Sequence, residues 1–378
     1  MSRETARPER CRDGFEGFRR PDGRLGVRNR VLVLPSVICS HVVGEEIAAR
    51  NPRAVAAPHD HGCGQLGADA EQTERTLVAL AGNPNVAGTL VVGLGCETVR
   101  SDVVAAAVEE RGVPVRELAI QAAGGTDACV EQGADAVAEL GDRAAEATDA
   151  AATLGDLTVG VVVDDLSAAT RTHAYPLVGE LVARVTAAGG RVVVAGNERF
   201  AAHPEETQAL LRDGDGDADV EALDGLLGAA DRPARAARVG SEAAERGFEA
   251  ATGFLGDAPV VDVAAYGAAA DVNGGVTLLD APSRVAEATT GLAAAGAHVV
   301  VHVTGHGTPA GHPLVPVVKL SGDADTLAAV PGDIDVDARE TGAAELEARL
   351  RSVADGERTC AERHGLTEFA IARAGPST

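Results

Sequence analysis

Aromatic residues are nearly missing from this chain: two tyrosines, six phenylalanines and no tryptophan in 378 residues, with a single methionine. Hydrophobic residues still make up 45% of it, so the interior has to be built from Val, Leu, Ile and Ala. Small branched side chains of this kind suit helices laid on parallel strands. Positive charge is also scarce. Acidic residues outnumber basic ones 57 to 33, for a net charge of −24, which excludes nucleic-acid binding through a basic face. The acidic surplus peaks at "RDGDGDADVEALD" (212–224), read as a solvated loop. The whole-chain bias is that of a halophilic protein kept soluble by surface charge. Lysine is the rarest cation: Lys319 stands alone and every other basic residue is arginine. A compact, titratable ammonium retained at one position marks Lys319 as a candidate functional group.

Cysteine is sparse too. The six residues (Cys11, Cys39, Cys63, Cys96, Cys129 and Cys360) form no CxxC pair and no dense framework, which fits a reducing compartment. The polar start "MSRETARPERCRDGFEG" is unlike a secretory signal, and no apolar run reaches the roughly 18 residues a membrane span requires. A cytoplasmic protein without membrane contact is expected. The length exceeds one ordinary core, so two or three domains are expected.

From residue 30, short continuous apolar runs alternate with amphipathic stretches: "RVLVLPSV", "HVVGEEIAARN", "AVAAPHD", "DAEQTERTLVALAG", "VAGTLVVGLG", "VRSDVVAAAVEERG", "VPVRELAI". This is a βαβαβαβ pattern, and unbroken apolar strands are those covered on both faces. Strands are expected at 30–37, 54–58, 86–92 and 113–120. A long helical stretch, "ACVEQGADAVAELGDRAAEATDAAATLG", then leads to a second α/β cycle opening with "LTVGVVVDD" (157–165). The expected class is α/β, with Rossmann-like or flavodoxin-like parallel-sheet layers in two packed α/β domains. Residues 1–13 would form a flexible tail, 14–150 the first domain and 151–378 the second.

Ligands of parallel sheets bind beyond the carboxyl ends of the strands. Three such ends each deliver a cysteine: "SVICS" (Cys39), "HDHGCGQ" (His59, His61 and Cys63) and "GLGCE" (Cys96). Thiolates with imidazole favour iron or zinc, the alternative being that the cysteines are small buried hydrophobes. The fourth end, "QAAGGT", offers Gly124, Gly125 and Thr126 to an anion. No GxGxxG follows the first strand, which argues against a dinucleotide enzyme. Late in the chain, "VTGHGTPAGHPLVPVVKLSGD" (303–323) gathers Thr304, Gly305, His306, Thr308, His312 and Lys319 after a β-run, as an anion cradle with a candidate base requires.

Six separated motifs, "GFRRPDGRLGVRNRVLVLPSVICS" (17–40), "HDHGCGQ", "GLGCE", "IQAAGGT", "GVTLLDAPS" and "TGHGTPAGHPLVPVVKLSG", resemble those of the altronate/galactarate dehydratase family, in its order, over residues 14–378. The resemblance implies a hydro-lyase that converts a sugar acid to a 2-keto-3-deoxy acid by α-proton abstraction and β-elimination, helped by a divalent metal. Iron(II) is the expected metal, with manganese or an iron–sulfur cluster as alternatives. It implies a metal region at His61, Cys63 and Cys96, with Cys39 beside them. Arg24 and Arg28 would contact substrate oxygens, Lys319 would be a base or carboxylate clamp, and His61 and His306 would share the catalytic work. A branch of the family cleaves sulfite from sulfolactate using separate small and large chains. This chain resembles a large subunit, so a small SAF-domain partner and a homo-oligomer are expected. Three stretches depart from the family pattern: "VVVDDLSAATRTHAYPLVG" (161–179) keeps Asp165 and Ser167 of an expected Gly-Gly-Ser-Asp loop, "AGNERF" puts Asn197 where a carboxylate is usual, and His306 replaces an arginine. They leave open a catalytically degenerate relative acting as a binding or regulatory subunit.

Overall fold

A computed structural model describes residues 14–20, 22–213, 220–231, 237–270 and 274–375. The expected tail 1–13, with Cys11, and the centre of the acidic run lie outside the described residues. Runs of Val and Leu make most of the strands. In the first half these are β1 (Phe15–Arg19), β2 (Leu25–Gly26), β3 (Arg30–Pro35), β4 (Ala54–Ala56), β5 (Val86–Gly93), β6 (Val115–Ala119) and β7 (Thr148–Ala152). The second half adds β8 (Thr158–Val163), β9 (Arg191–Val194), β10 (Val260–Ala264), β11 (Val276–Leu279), β12 (Val299–Val303), β13 (Val317–Ser321) and β14 (Val336–Asp337).

Among the described residues these form three sheets. The order β4-β3-β5-β6 is a parallel, flavodoxin-like half sheet. The order β10-β11-β9-β8-β12-β13-β14 is a larger parallel sheet. Both carry helices, as the expected α/β class requires. In each, the chain reverses its direction of sheet growth once, between β3 and β5 and between β8 and β12, and the crevice at such a reversal is where α/β proteins hold ligands.

The third sheet, β2-β1-β7, is antiparallel and departs from the sequence reading. The Ala-rich stretch expected to stay helical stops at Ala145, and Thr148–Ala152 pairs along the whole of β1. Alanine favours helix locally, but pairing with a distant strand overrides that weak preference. Phe15, Leu25, Val27 and Ala152 enter the same apolar cluster as Val159, Val161 and Leu350, so this ribbon packs on the larger sheet. A second cluster joins the parallel sheets: Leu32, Leu34 and Val91 lie in one apolar mass with Val162, Val193, Leu292 and Val300. No helix of the described residues is long and apolar enough to cross a membrane.

Candidate active site

At the smaller sheet, the loops following β3, β4 and β5 are stitched to one another through the backbone. Ile38 N–H donates to His61 O (2.8 Å), and the N–H groups of Thr98 and Val99 donate to Gly62 O (3.1 and 3.2 Å). Gly62 has φ +91°, and a Cβ there would lie 2.2 Å from Ser36 O, so only glycine lets the loops meet. Glu97 anchors the third loop by accepting from the N–H groups of Gly95 (2.6 Å) and Cys96 (2.9 Å). Burial pushes its carboxyl upward, but those backbone donors prevail and hold it below the usual carboxylate range.

His59 is buried. Its Nε2 donates to Pro35 O (2.7 Å) and its Nδ1 accepts from His61 N–H (3.2 Å). Burial lowers its pKa to about 4, so the ring is neutral at physiological pH. Both ring nitrogens of His61 are engaged as well, Nε2 with Ile371 O (3.0 Å) and Nδ1 with the Gln65 amide (3.1 Å). Cys39, Cys63 and Cys96 sit on the three loops with exposed thiols. Among the described residues no three His, Cys, Asp or Glu side chains converge as metal donors. The set His61, Cys63, Cys96 and Cys39 as placed therefore does not fit a metal centre. Gly124, at φ +97°, and Gly125 lead into the helix Thr126–Ala145, and the Gly125 N–H is already used by Ile120 O (3.0 Å).

The larger sheet places a different group at its β8/β12 reversal. Asp164, just past β8, accepts from His302 Nε2 (3.0 Å) and Thr308 Oγ1 (2.9 Å). Burial alone would raise the Asp164 carboxyl, but the His302 imidazole beside it holds it below the ordinary range. His302 is fully buried in β12 and stands in register with Lys319 of β13, also fully buried. Paired residues on adjacent strands project to one face, here the face of Val162 and Val300, with their Cβ atoms about 5 Å apart. Asp164 Oδ1, His302 Nδ1 and Lys319 Nζ are buried without a hydrogen-bond partner. Next to them, Asp165 accepts from the N–H groups of Ser167 and Gly305 (2.7 Å each) and from Thr170 Oγ1 (2.8 Å). Thr304 Oγ1 accepts from Thr308 N–H (3.3 Å), and exposed His306 accepts from Arg238 (3.3 Å). Further along this edge Asn197 donates to Asp280 (2.7 Å), and Glu198 accepts from Ser283 N–H (3.0 Å). Burial raises the Glu198 carboxyl.

The chain's last segment ties the two edges together. The Phe369 ring lies 6.3 Å from His59 and 5.6 Å from His312, and Ile371 O receives the His61 bond. Burial lowers the His312 pKa to about 3, and its Nε2 has no partner.

The sequence-derived residues thus fall into three places. His61, the three cysteines and Gly124 to Thr126 follow the smaller sheet, whereas Thr304, Gly305, His306, Thr308 and Lys319 surround the β12–β13 connection. The two arginines join neither. All five N–H groups of Arg28 are consumed: two by the Glu362 carboxylate (2.8 Å each) and three by Val27 O (2.9 Å), Val353 O (2.8 Å) and Glu357 O (3.0 Å). With no donor left for a substrate, Arg28 is a structural clamp, which corrects the expectation placed on it. Arg24 pairs with Asp22 (2.7 Å) and caps Gly82 O near the amino ends of the strands. Sequence reading missed Asp164 and His302. The signal existed in the lone polar letter of "VVVHV" and in the doubled aspartate closing "VVVDD".

A parallel α/β enzyme with its polar groups at two sheet-reversal crevices is the class this geometry defines. The family model described as D-galactarate dehydratase/altronate hydrolase, second domain, matches residues 17–145. That for the D-galactarate/altronate dehydratase C-terminal region matches 250–377. The chain belongs to this family, and with it to the hydro-lyase enzymes. It is 29% identical to an altronate dehydratase of Bacillus subtilis over 96% of this chain and 78% of that protein. It is also 29% identical to the altronate dehydratase of Escherichia coli, over 95% of this chain and 77% of that protein. Similarity extends to the (2R)-sulfolactate sulfo-lyase subunit beta of Chromohalobacter salexigens, 27% identical over 95% of this chain and 97% of that protein.

Proposed function

We propose that the chain removes water from a sugar acid of the altronate or galactarate type to give a 2-keto-3-deoxy acid, with the chemistry at the β8/β12 crevice. The observation that carries this reading is the Asp164–His302–Lys319 array, set in a chain that matches altronate dehydratases over nearly its whole length. A syn or anti elimination of this kind needs a base for the proton α to the carboxylate, positive charge for the enediolate, and a proton for the departing hydroxyl. His302 gives its Nε2 proton to the Asp164 bond, which leaves Nδ1 with a lone pair and no partner. The Lys319 ammonium, one strand away, is the base's neighbour and the clamp for the developing charge. His302 Nδ1 takes the α-proton and passes it to the β-hydroxyl, which leaves as water, and the enol so formed tautomerises to the ketone.

The test is turnover of altronate and galactarate by the purified chain, read as keto-acid formation. Lys319→Met and His302→Asn should each lower kcat by about 10²-fold or more with the fold intact. Asp164→Asn should lower it less, because that residue positions the imidazole. Full activity of Lys319→Met would end the assignment. The match to a sulfo-lyase subunit supports a second reading, C–S elimination from a sulfonated acid, separated by assaying sulfite. That relative is named as a subunit, which supports assembly with a second chain, checked by co-purification.

A further inference from the structure

A cavity of about 460 Å³ opens at the amino ends of the strands, the opposite end from Asp164 and His302. Arg19, Arg24, Arg111 and Arg191 line it, with Asp156 as the one acidic residue on its wall among the described residues. In a protein of net charge −24 this is a reversal of sign. Little of the positive charge is matched. Arg24 pairs with Asp22, but among the described residues Arg191 reaches only Thr158 Oγ1 (3.1 Å) and Ala270 O (3.4 Å), and Arg19 only Gly23 O (3.3 Å). The Arg111 guanidinium has no partner among the described residues. The Asp156 carboxylate accepts at Oδ2 from the Thr153 N–H (2.8 Å) and hydroxyl (3.0 Å), and its single negative charge stands against four guanidinium groups. His298 adds no charge: both its nitrogens are bonded, and burial lowers its pKa to about 4.

Helix dipoles account for part of this. The helices Ala68–Ala81, Ser101–Glu110 and Val285–Ala294 all end at or beside the cavity, and carbonyl ends attract cations. That explains Arg24 on Gly82 O. It leaves Arg19, Arg111 and Arg191 facing a common space in which, among the described residues, Asp156 is the one carboxylate.

We propose that this cavity is a second binding site, for a small polyvalent anion of the di- or tricarboxylate kind, separate from the catalytic crevice. Thr158 begins β8 and Asp164 follows its end, so the strand's length of roughly 20 Å divides the two sites. Gly82 and Arg111 come from the smaller-sheet half and Thr158 and Arg191 from the larger, so a bound anion fastens the halves together. Its occupancy is a stabilising, regulatory input.

Citrate is the probe. Titrated calorimetrically into the full chain, it should bind one to one and raise the Tm, while sodium chloride at matched ionic strength should not. Arg111→Glu and Arg19→Glu, both at exposed positions, should weaken citrate binding at least tenfold with unchanged circular dichroism, and without citrate should leave kcat and KM for the sugar acid unaltered. Lack of citrate binding to the unmodified chain, an equal Tm rise with sodium chloride, or undiminished citrate affinity in both variants overturns the proposal. A raised KM for the sugar acid in Arg111→Glu overturns it as well, since the cavity would then be the substrate's own pocket.

Discussion

Arg28 shows how one side chain's bonding decides its role. A guanidinium in a Gly- and Arg-rich turn before the first parallel strand has the chemistry to hold a carboxylate substrate, yet its five donors are spent on Glu362 and three carbonyls more than three hundred positions away in most cases. Removing one partner of a buried ion pair strands the other. Arg28→Met should therefore lower unfolding free energy by about 3 kcal/mol in urea melts and leave KM for the substrate unchanged. A raised KM without loss of stability would return Arg28 to the substrate. Thiols divide on the same scale. Cys39, Cys63 and Cys96 should label quickly with iodoacetamide, site by site in mass spectra, while Cys129 and Cys360, buried and with their thiol pKa pushed up by that burial, stay protected. Lys319 was legible from composition alone, because a single lysine among arginines stands out. Its neighbour His302 was not, since nothing in "VVVHV" says which strand lies beside it.

Among the elements, the strands were the most legible part. Val-rich runs buried on both faces leave little choice of state, and β3, β5 and β8 begin within a residue of their expected places. β7 was hidden because pairing with β1, not its own alanines, makes it a strand. Loop register is the other feature fixed at this level. Gly62→Ala forces a Cβ against Ser36 O at a left-handed φ, so it should cost about 1–3 kcal/mol and separate the loops that carry Cys39 and Cys63. Thermal melts with a change in Cys63 labelling rate would register both effects, and an unchanged Tm would contradict the geometry.

At the scale of the whole molecule, three neutral imidazoles make stability depend on pH between about 6.5 and 4. His59 and His298 have pKa values lowered to about 4 and His312 to about 3, all by burial. The unfolded chain binds these protons near pH 6.5, before the folded chain does, so their stabilising contribution is complete above 6.5 and is lost as pH falls towards 4. Each contributes a slope of up to about 1.4 kcal/mol per pH unit in that window. Glu198, whose carboxyl is raised, acts in the opposite direction with a single proton. Urea midpoints should thus drop steeply between pH 6.5 and 5, and a flat profile there would refute the burial of these rings.

The sequence by itself determined the α/β class, the parallel strands and the family, because apolar periodicity and motif order are properties of the chain written in one dimension. It also placed the polar letters at strand ends. Only the tertiary structure decided which ends adjoin: that His302 lies beside Lys319, that Phe369 stands between His59 and His312, and that four arginines from distant segments share one cavity. Adjacency across strands depends on sheet order and register, which arise from the packing of many small apolar side chains over both sheets at once, and no local stretch of sequence encodes it.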